Sequence, residues 1–138
     1  VVHIFLYRKR ENEYEYAVFQ RADMPFCWQG VCGGAENNET LEEAGVTEYL
    51  PIYQLESISY LPDNIFSNAA RKVWGNEVVV VPIYFFAMPF YGEVKLSDEH
   101  IDMKWLSYND AYNMIYYKDQ QIALYELNEK LLCNIITL

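Results

Sequence analysis

From Glu77 to Met88 the chain is almost continuously apolar, with Val78 to Val81 followed by Ile83, Tyr84, Phe85 and Phe86. The run is rich in β-branched and aromatic residues and does not alternate with polar ones. That pattern predicts a central strand covered on both faces. A strand covered on both faces needs a layer on each side, and this requirement limits the folds open to the chain. Strands followed by packed helices then indicate an α/β or α+β sandwich.

The remaining segments supply those layers. Val1–Tyr7 and Tyr14–Arg21 read as a hairpin about a charged turn, Arg8–Glu13. Asp23 and Pro25 break the strand. Trp28–Cys32 reads as a short strand, ended by Gly33 and Gly34. After the polar turn at Asn37–Asn38, Glu39–Ala44 has helical composition, with Gly45 at its C-terminal end. Pro51–Tyr60 is a further strand. Leu61–Gly75 reads as a long loop with room for one helical turn, and long loops in compact domains are often functional. Phe90–Leu96 is expected to extend the sheet. A polar turn at Ser97–His100 precedes a strand at Met103–Leu106. Ser107 is placed to cap a helix over Tyr108–Tyr116. The last helix, Gln120–Leu132, carries Ile122, Leu124, Leu127, Leu131 and Leu132 as its apolar residues. The 138 residues, 52% hydrophobic, suit one domain over 1–138.

Charge narrows the partners. The formal net charge is −10, which repels a nucleic acid polymer at long range. A small phosphorylated ligand is compatible, because divalent cations can bridge acid to phosphate. The same charge also serves solubility. Cys27, Cys32 and Cys133 show neither metal-type spacing nor an even number, so a reducing compartment, the cytoplasm, is expected. No apolar run is long enough to span a bilayer, and no secretory signal pattern is present.

The chemistry concentrates in Gly33–Val46. Two glycines at a strand end let backbone turn sharply or approach a ligand. Glu39, Glu42 and Glu43 stand at i, i+3 and i+4, so a helix places them on one face about a turn apart. Their repulsion costs an isolated helix a few tenths of a kcal/mol per pair. Magnesium would turn that repulsion into an oxygen-rich site completed by waters and phosphate oxygens. A solvated acidic face is the alternative.

This stretch resembles the Nudix box, G-x5-E-x7-R-E-U-x-E-E-x-G-U, with U apolar. Gly33 and Glu39 match its opening, and Glu42-Glu43-Ala44-Gly45-Val46 match its close. Phe19-Gln20-Arg21 and Trp28-Gln29-Gly30-Val31 resemble the strands leading into the box. Glu99-His100, Lys104-Trp105-Leu106 and Ala123–Asn128 resemble the last third of bacterial nucleoside triphosphate and dihydroneopterin triphosphate pyrophosphohydrolases. One departure is large. The pattern places the closing glycine fifteen residues after the first glutamate, whereas Gly45 lies six after Glu39 (45 − 39). Nine positions (15 − 6) are therefore missing, among them the arginine–glutamate pair. Two readings account for this. In one, the polypeptide carries further residues that complete the box. In the other, the motif is contracted and Glu39 takes both glutamate roles.

The resemblance implies an α/β/α sandwich around a mixed sheet. It also implies magnesium-dependent hydrolysis of a diphosphate bond in a nucleotide-like substrate, with manganese able to substitute. Glu42, Glu43 and Glu99 would be catalytic and metal-binding residues, with the Cys32 backbone carbonyl a further ligand. Glu39 would brace the helix or bind metal. Arg21 is a candidate phosphate contact or an ion-pair partner of a box glutamate. Gly33 and Gly34 would border the substrate. Trp28, Phe66 and Trp74 are candidate base-stacking residues, with core or loop packing the commoner role for each. His100 is expected to be structural or solvated. A homodimer is compatible with this reading, and so is a catalytically inactive ligand-binding or regulatory module.

Overall fold

The computed structural model describes residues 1–34, 36–47, 50–62, 64 and 68–136. Its framework is a mixed seven-stranded sheet. Strand β1 (Val2–Arg10) and strand β2 (Glu13–Arg21) form the expected hairpin. The turn is tighter than the charged segment suggested, because Glu11 and Asn12 both adopt left-handed backbone (φ 51° and 67°) and close the hairpin in two residues. The short strands β3 (Trp28–Gln29) and β4 (Val31–Gly33) pair with β2 and β1 respectively. Strand β5 (Tyr53–Pro62) and strand β6 (Val80–Pro89) are antiparallel, and β6 runs parallel to β1. Strand β7 (His100–Leu106) pairs with β2. Phe90–Leu96 does not extend the sheet. After the Phe90 N–H bonds to the Tyr7 carbonyl, the segment leaves the ladder as coil.

Helices cover both faces. Helix α3 (Tyr108–Met114) and helix α4 (Lys118–Leu132) bury Phe5, Tyr7, Val18, Leu55 and Phe85 against Leu124, Leu127 and Leu131. On the opposite face, helix α1 (Asn37–Glu43) covers Ile4, Leu6, Phe19 and Val31 with Leu41 and Ala44. The result is an α/β/α sandwich. Helix α2 (Asn68–Trp74) supplies two helical turns where the sequence suggested one at most.

The expectation that β6 is covered on both faces holds only for its second half. Val80 and Tyr84 are exposed, as are Ile58 and Tyr60 beside them on β5. The reason is the length of α1. Its seven residues extend only about 10 Å at 1.5 Å each, and they pack mainly on β1 and β4. Gly45 fixes where α1 stops. Its φ is +90°, and a Cβ there would stand 1.7 Å from the Lys95 carbonyl oxygen, so only glycine fits.

An acid on α4 closes a gap in the sheet. The β5–β6 register shifts between Gln54 and Ile58, leaving backbone N–H groups outside the ladder. The Glu126 carboxylate accepts the Glu56 and Ser57 N–H groups at 2.6 and 2.8 Å and the Ser57 hydroxyl at 2.6 Å. Lys130 Nζ stands 2.8 Å away. Burial pushes the Glu126 pKa up, but hydrogen bonds from Lys130, Ser57 and the backbone outweigh it, so the net shift is downward from 4.5. Glu126→Ala should therefore cost about 1–3 kcal/mol at neutral pH, the penalty for donors left without an acceptor. A depressed folded-state pKa stabilises above the unfolded value and loses that stabilisation as pH falls through the folded value. The gap between wild type and Glu126→Ala in urea denaturation should therefore close below about pH 4.5. A gap unchanged down to pH 3 would contradict this role.

Candidate active site

The pairing of β2 with β7 builds the site. Residues run in register from Tyr16 opposite Leu106 to Gln20 opposite Asp102, then a bulge sets Arg21 opposite His100. The Ala22 N–H donates to the Glu99 carbonyl at 2.9 Å, fastening the Ser97–His100 turn to the end of β2. The Arg21 N–H donates to the Cys27 carbonyl at 3.0 Å, and the Cys27 N–H to the Met24 carbonyl at 2.8 Å, so Ala22–Phe26 folds back as a tight loop. These ties enclose an open cavity of about 370 Å³ lined by Arg21, Ala22, Asp23, Gln29, Cys32, Asp98, Glu99 and His100. That volume lies at the lower end of the range for small-molecule sites, about 300–1,000 Å³.

The charges in the cavity are organised. Arg21 does not pair with a box glutamate. Its Nε and Nη2 donate to the two Asp23 carboxylate oxygens at 2.9 and 2.6 Å. This fork raises the Arg21 pKa and lowers that of Asp23. Glu99 is shifted upward, chiefly by partial burial and then by the negative charge of Glu43, against a smaller pull from Arg21. Glu43 of the box helix therefore bears electrostatically on Glu99 of the β7 turn, 56 residues further on (99 − 43). Burial pushes the Cys32 thiol up to about 11 and raises that of Cys27 as well, so both are neutral thiols at pH 7 and poor nucleophiles. His100 is buried, packs 4.9 Å from the Phe19 ring, and has its pKa lowered by burial, with Nδ1 lacking a hydrogen-bond partner.

The structure brings Arg21, Cys32 and Glu99 into one cavity, with Glu43 in electrostatic reach. Glu39, Glu42 and Glu43 are all exposed on α1, and none lines the cavity. Gly33 packs β4 against α1, where a Cβ would meet the Thr40 hydroxyl oxygen at 2.9 Å, while Gly34 faces open space. Trp28 stands on the α3–α4 side of the sheet, against that core and beneath Lys104 Nζ at 5.2 Å, away from the lining. Trp74 lies on α2, also outside the lining, and Phe66 lies outside the described residues. Sequence reasoning missed Asp23, Gln29 and Asp98. Only Asp23 had a local signal, an acid two residues after Arg21 in a proline-containing loop.

Solved structures carry the same fold. A NUDIX hydrolase from Listeria monocytogenes is similar at 32% identity over 96% of this chain and 94% of that one, with a TM-score of 0.78. The dihydroneopterin triphosphate pyrophosphohydrolase of E. coli is similar in fold at 18% identity, covering 92% and 95% of the two chains, with a TM-score of 0.67. An Ap4A hydrolase from C. elegans is similar at 21% identity over 96% and 98%, with a TM-score of 0.65. No family model and no curated protein matches the chain. The sandwich, the cavity at the end of β2 and the likeness to the Listeria protein define the class: the chain belongs to the Nudix hydrolase family.

Proposed function

We propose that this cavity hydrolyses a diphosphate bond in a nucleoside triphosphate, or in another nucleoside-diphosphate-linked small molecule, with magnesium as cofactor. One observation carries the reading: Glu99, whose pKa is raised partly by Glu43, shares a cavity with an arginine held in a fixed orientation. Hydrolysis of an anhydride needs a proton acceptor near the attacking water and positive charge near the phosphates. Glu99 supplies the first. Arg21 supplies the second: Asp23 takes its Nε and Nη2 and keeps the guanidinium oriented, which leaves the Nη1 donors for a phosphate oxygen.

The donor set fits magnesium. Among the described residues no group of three or more metal-ligating side chains converges. Magnesium does not require such a cage, because it is commonly held by one or two carboxylates with waters and substrate phosphates completing the shell. Glu43 and Glu99 would be those carboxylates. Glu42, Glu39 and the Cys32 carbonyl would be the further ligands that the box resemblance assigns. Bound magnesium lowers the pKa of water, screens phosphate charge and fixes the geometry of displacement. Manganese has the same preference for hard oxygen ligands and would substitute.

Triphosphates stand first as substrates because the last third of the chain resembles that branch of the family. A panel of nucleoside triphosphates, dihydroneopterin triphosphate, ADP-ribose and NADH should contain at least one compound hydrolysed with magnesium. The contracted reading of the box favours a second function, a Nudix fold that binds such ligands without turnover. Binding with no hydrolysis across the panel would select it. The cofactor has its own test. Millimolar magnesium should raise the Tm, since binding to the native state stabilises by mass action, about 2.7 kcal/mol at a hundredfold excess over Kd. Glu43→Gln should remove much of that increment. A Tm indifferent to both metals would count against the site.

A further inference from the structure

The outward face of helix α4 carries a repeat that its own fold does not use. Five of its residues are exposed, Lys118, Ile122, Tyr125, Glu129 and Leu132, spaced four, three, four and three apart. At 3.6 residues per turn they fall within one arc of about 80° and form a single ridge. The three apolar members are 62%, 55% and 61% exposed. The outer face of a helix in a free-standing domain is ordinarily polar. Alternating steps of four and three are instead the a and d positions of a heptad, the seam along which one helix packs on another.

The two charged members say what covers this seam. Among the described residues, neither Lys118 nor Glu129 makes an ion pair within its own chain. They stand eleven residues apart (129 − 118), about 16 Å along the helix, too far to reach each other. We propose that the ridge is the interface of a homodimer in which two copies of α4 pack antiparallel about a two-fold axis. An axis passing midway between Ile122 and Tyr125 sets Ile122 opposite Tyr125 of the second copy. The same register sets Lys118 opposite Glu129 of the second copy, because both pairs are centred on one point of the helix. Two-fold symmetry repeats each contact, so the surface is complementary to itself. A parallel pair in register would place lysine on lysine and glutamate on glutamate, and like charges opposed across an interface are costly. Two chains of net charge −10 repel at long range. Physiological salt screens that repulsion beyond about 8 Å, and the ridge itself balances one cation against one anion. A seam one helix long is smaller than a standard interface of about 1,600 Å², so the dimer is weak and concentration-dependent. None of the five residues lines the active-site cavity, so the interface stands apart from the proposed reaction.

Sedimentation velocity at physiological salt tests this. Reducing conditions are needed because Cys133 is exposed directly after the helix. The wild type should pass from monomer to dimer between about 1 µM and 1 mM, the span of weak affinities. Ile122→Asp should weaken the dimer roughly tenfold or more, since it buries a charge at the centre of the seam. Lys118→Glu and Glu129→Lys should each weaken it roughly fivefold or more, because symmetry turns both ion pairs repulsive at once. The double variant Lys118→Glu/Glu129→Lys restores opposite charges and should dimerise within about threefold of the wild type. Both swaps place charge as the helix dipole favours, acid toward the N-terminus and base toward the C-terminus, so folding is not at stake. Should Ile122→Asp fail to fold by circular dichroism, Ile122→Ser takes its place. A wild type that stays monomeric throughout overturns the homodimer and leaves the ridge to a different protein. A dimer indifferent to the change at Ile122 uses another face and overturns it too. Failure of the double variant to regain what the single swaps lose overturns the antiparallel register.

Discussion

Glu99→Gln is expected to lower kcat by roughly 10²–10⁴-fold, the usual range for removal of a general acid or base, with the Tm close to wild type. The side chain stands on the turn before β7 and remains exposed, so it carries no core packing. The tie that positions the turn is the Glu99 backbone carbonyl accepting the Ala22 N–H, which glutamine leaves intact. Surface changes of this kind usually stay within about 0.5 kcal/mol. The lost charge is the one that partial burial and Glu43 make harder to ionise, a poise that suits a group which must take up a proton during the reaction. The deficit should fall on kcat more than on KM, since proton acceptance matters only in the transition state. The base works deprotonated, so wild-type activity should fall as acid protonates it. The variant should lack this limb of the profile. A Glu99→Gln protein with full turnover and an unchanged pH profile would remove Glu99 from the mechanism.

How much of this was legible in the sequence depended on whether the cause was local. The β1–β2 hairpin followed from alternation and a charged turn, and the Ser107 cap from a single hydroxyl before a helix, whose oxygen accepts the Asp110 N–H at 3.3 Å. The stripe on α4 was only half legible. Leu124, Leu127 and Leu131 are buried, but Ile122 and Leu132 are more than 60% exposed, because burial follows the i, i+3, i+4 series through Gln120. Gln120 and Gln121 occupy buried positions that hydrophobicity alone would not give them. The Gln121 amide donates to the Tyr112 carbonyl at 2.8 Å, and Gln120 reaches Gln29 at 3.4 Å. The site was legible where a residue type announced its chemistry, as with Glu99 and Arg21. It was not legible where position depends on pairing between distant segments. The bulge that sets Arg21 opposite His100 joins residues 79 apart (100 − 21), and no local pattern encodes that register. For the same reason the sequence did not reveal which way Trp28 faces. Strand pairing turned the tryptophan toward the α3–α4 core.

Acid should unfold this protein through His3, and the expected effect is large. His3 has no exposed surface. It lies on β1 between Cys32 of β4 and Phe85 of β6, with ring neighbours Phe5 at 4.5 Å and Phe85 at 5.2 Å. Its Nε2 accepts the Gly30 N–H at 3.2 Å, so the neutral ring carries its proton on Nδ1. The fit is close enough that a Cβ at residue 30 would approach the imidazole Cε1 to 2.5 Å. Burial lowers the pKa from 6.5 to about 3, and the Gln120 side chain offsets only part of that. The unfolded chain takes up this proton near pH 6.5, while the folded chain resists it until about pH 3. Between those values the unfolded state holds one more proton, and stability falls by up to about 1.4 kcal/mol for each unit of acidification. Over the whole window of 3.5 units (6.5 − 3) the loss approaches about 5 kcal/mol, comparable with the total stability of many domains, about 5–15 kcal/mol. His100, lowered in the same direction by burial, adds to the slope. His3→Gln keeps an acceptor for the Gly30 N–H but does not titrate. Urea denaturation between pH 7.5 and 4 should therefore show wild-type stability falling more steeply than that of His3→Gln, by about 1.4 kcal/mol per pH unit between pH 6 and 4. Parallel stability profiles for the two proteins would mean that His3 is not the buried neutral group that sets the acid limit.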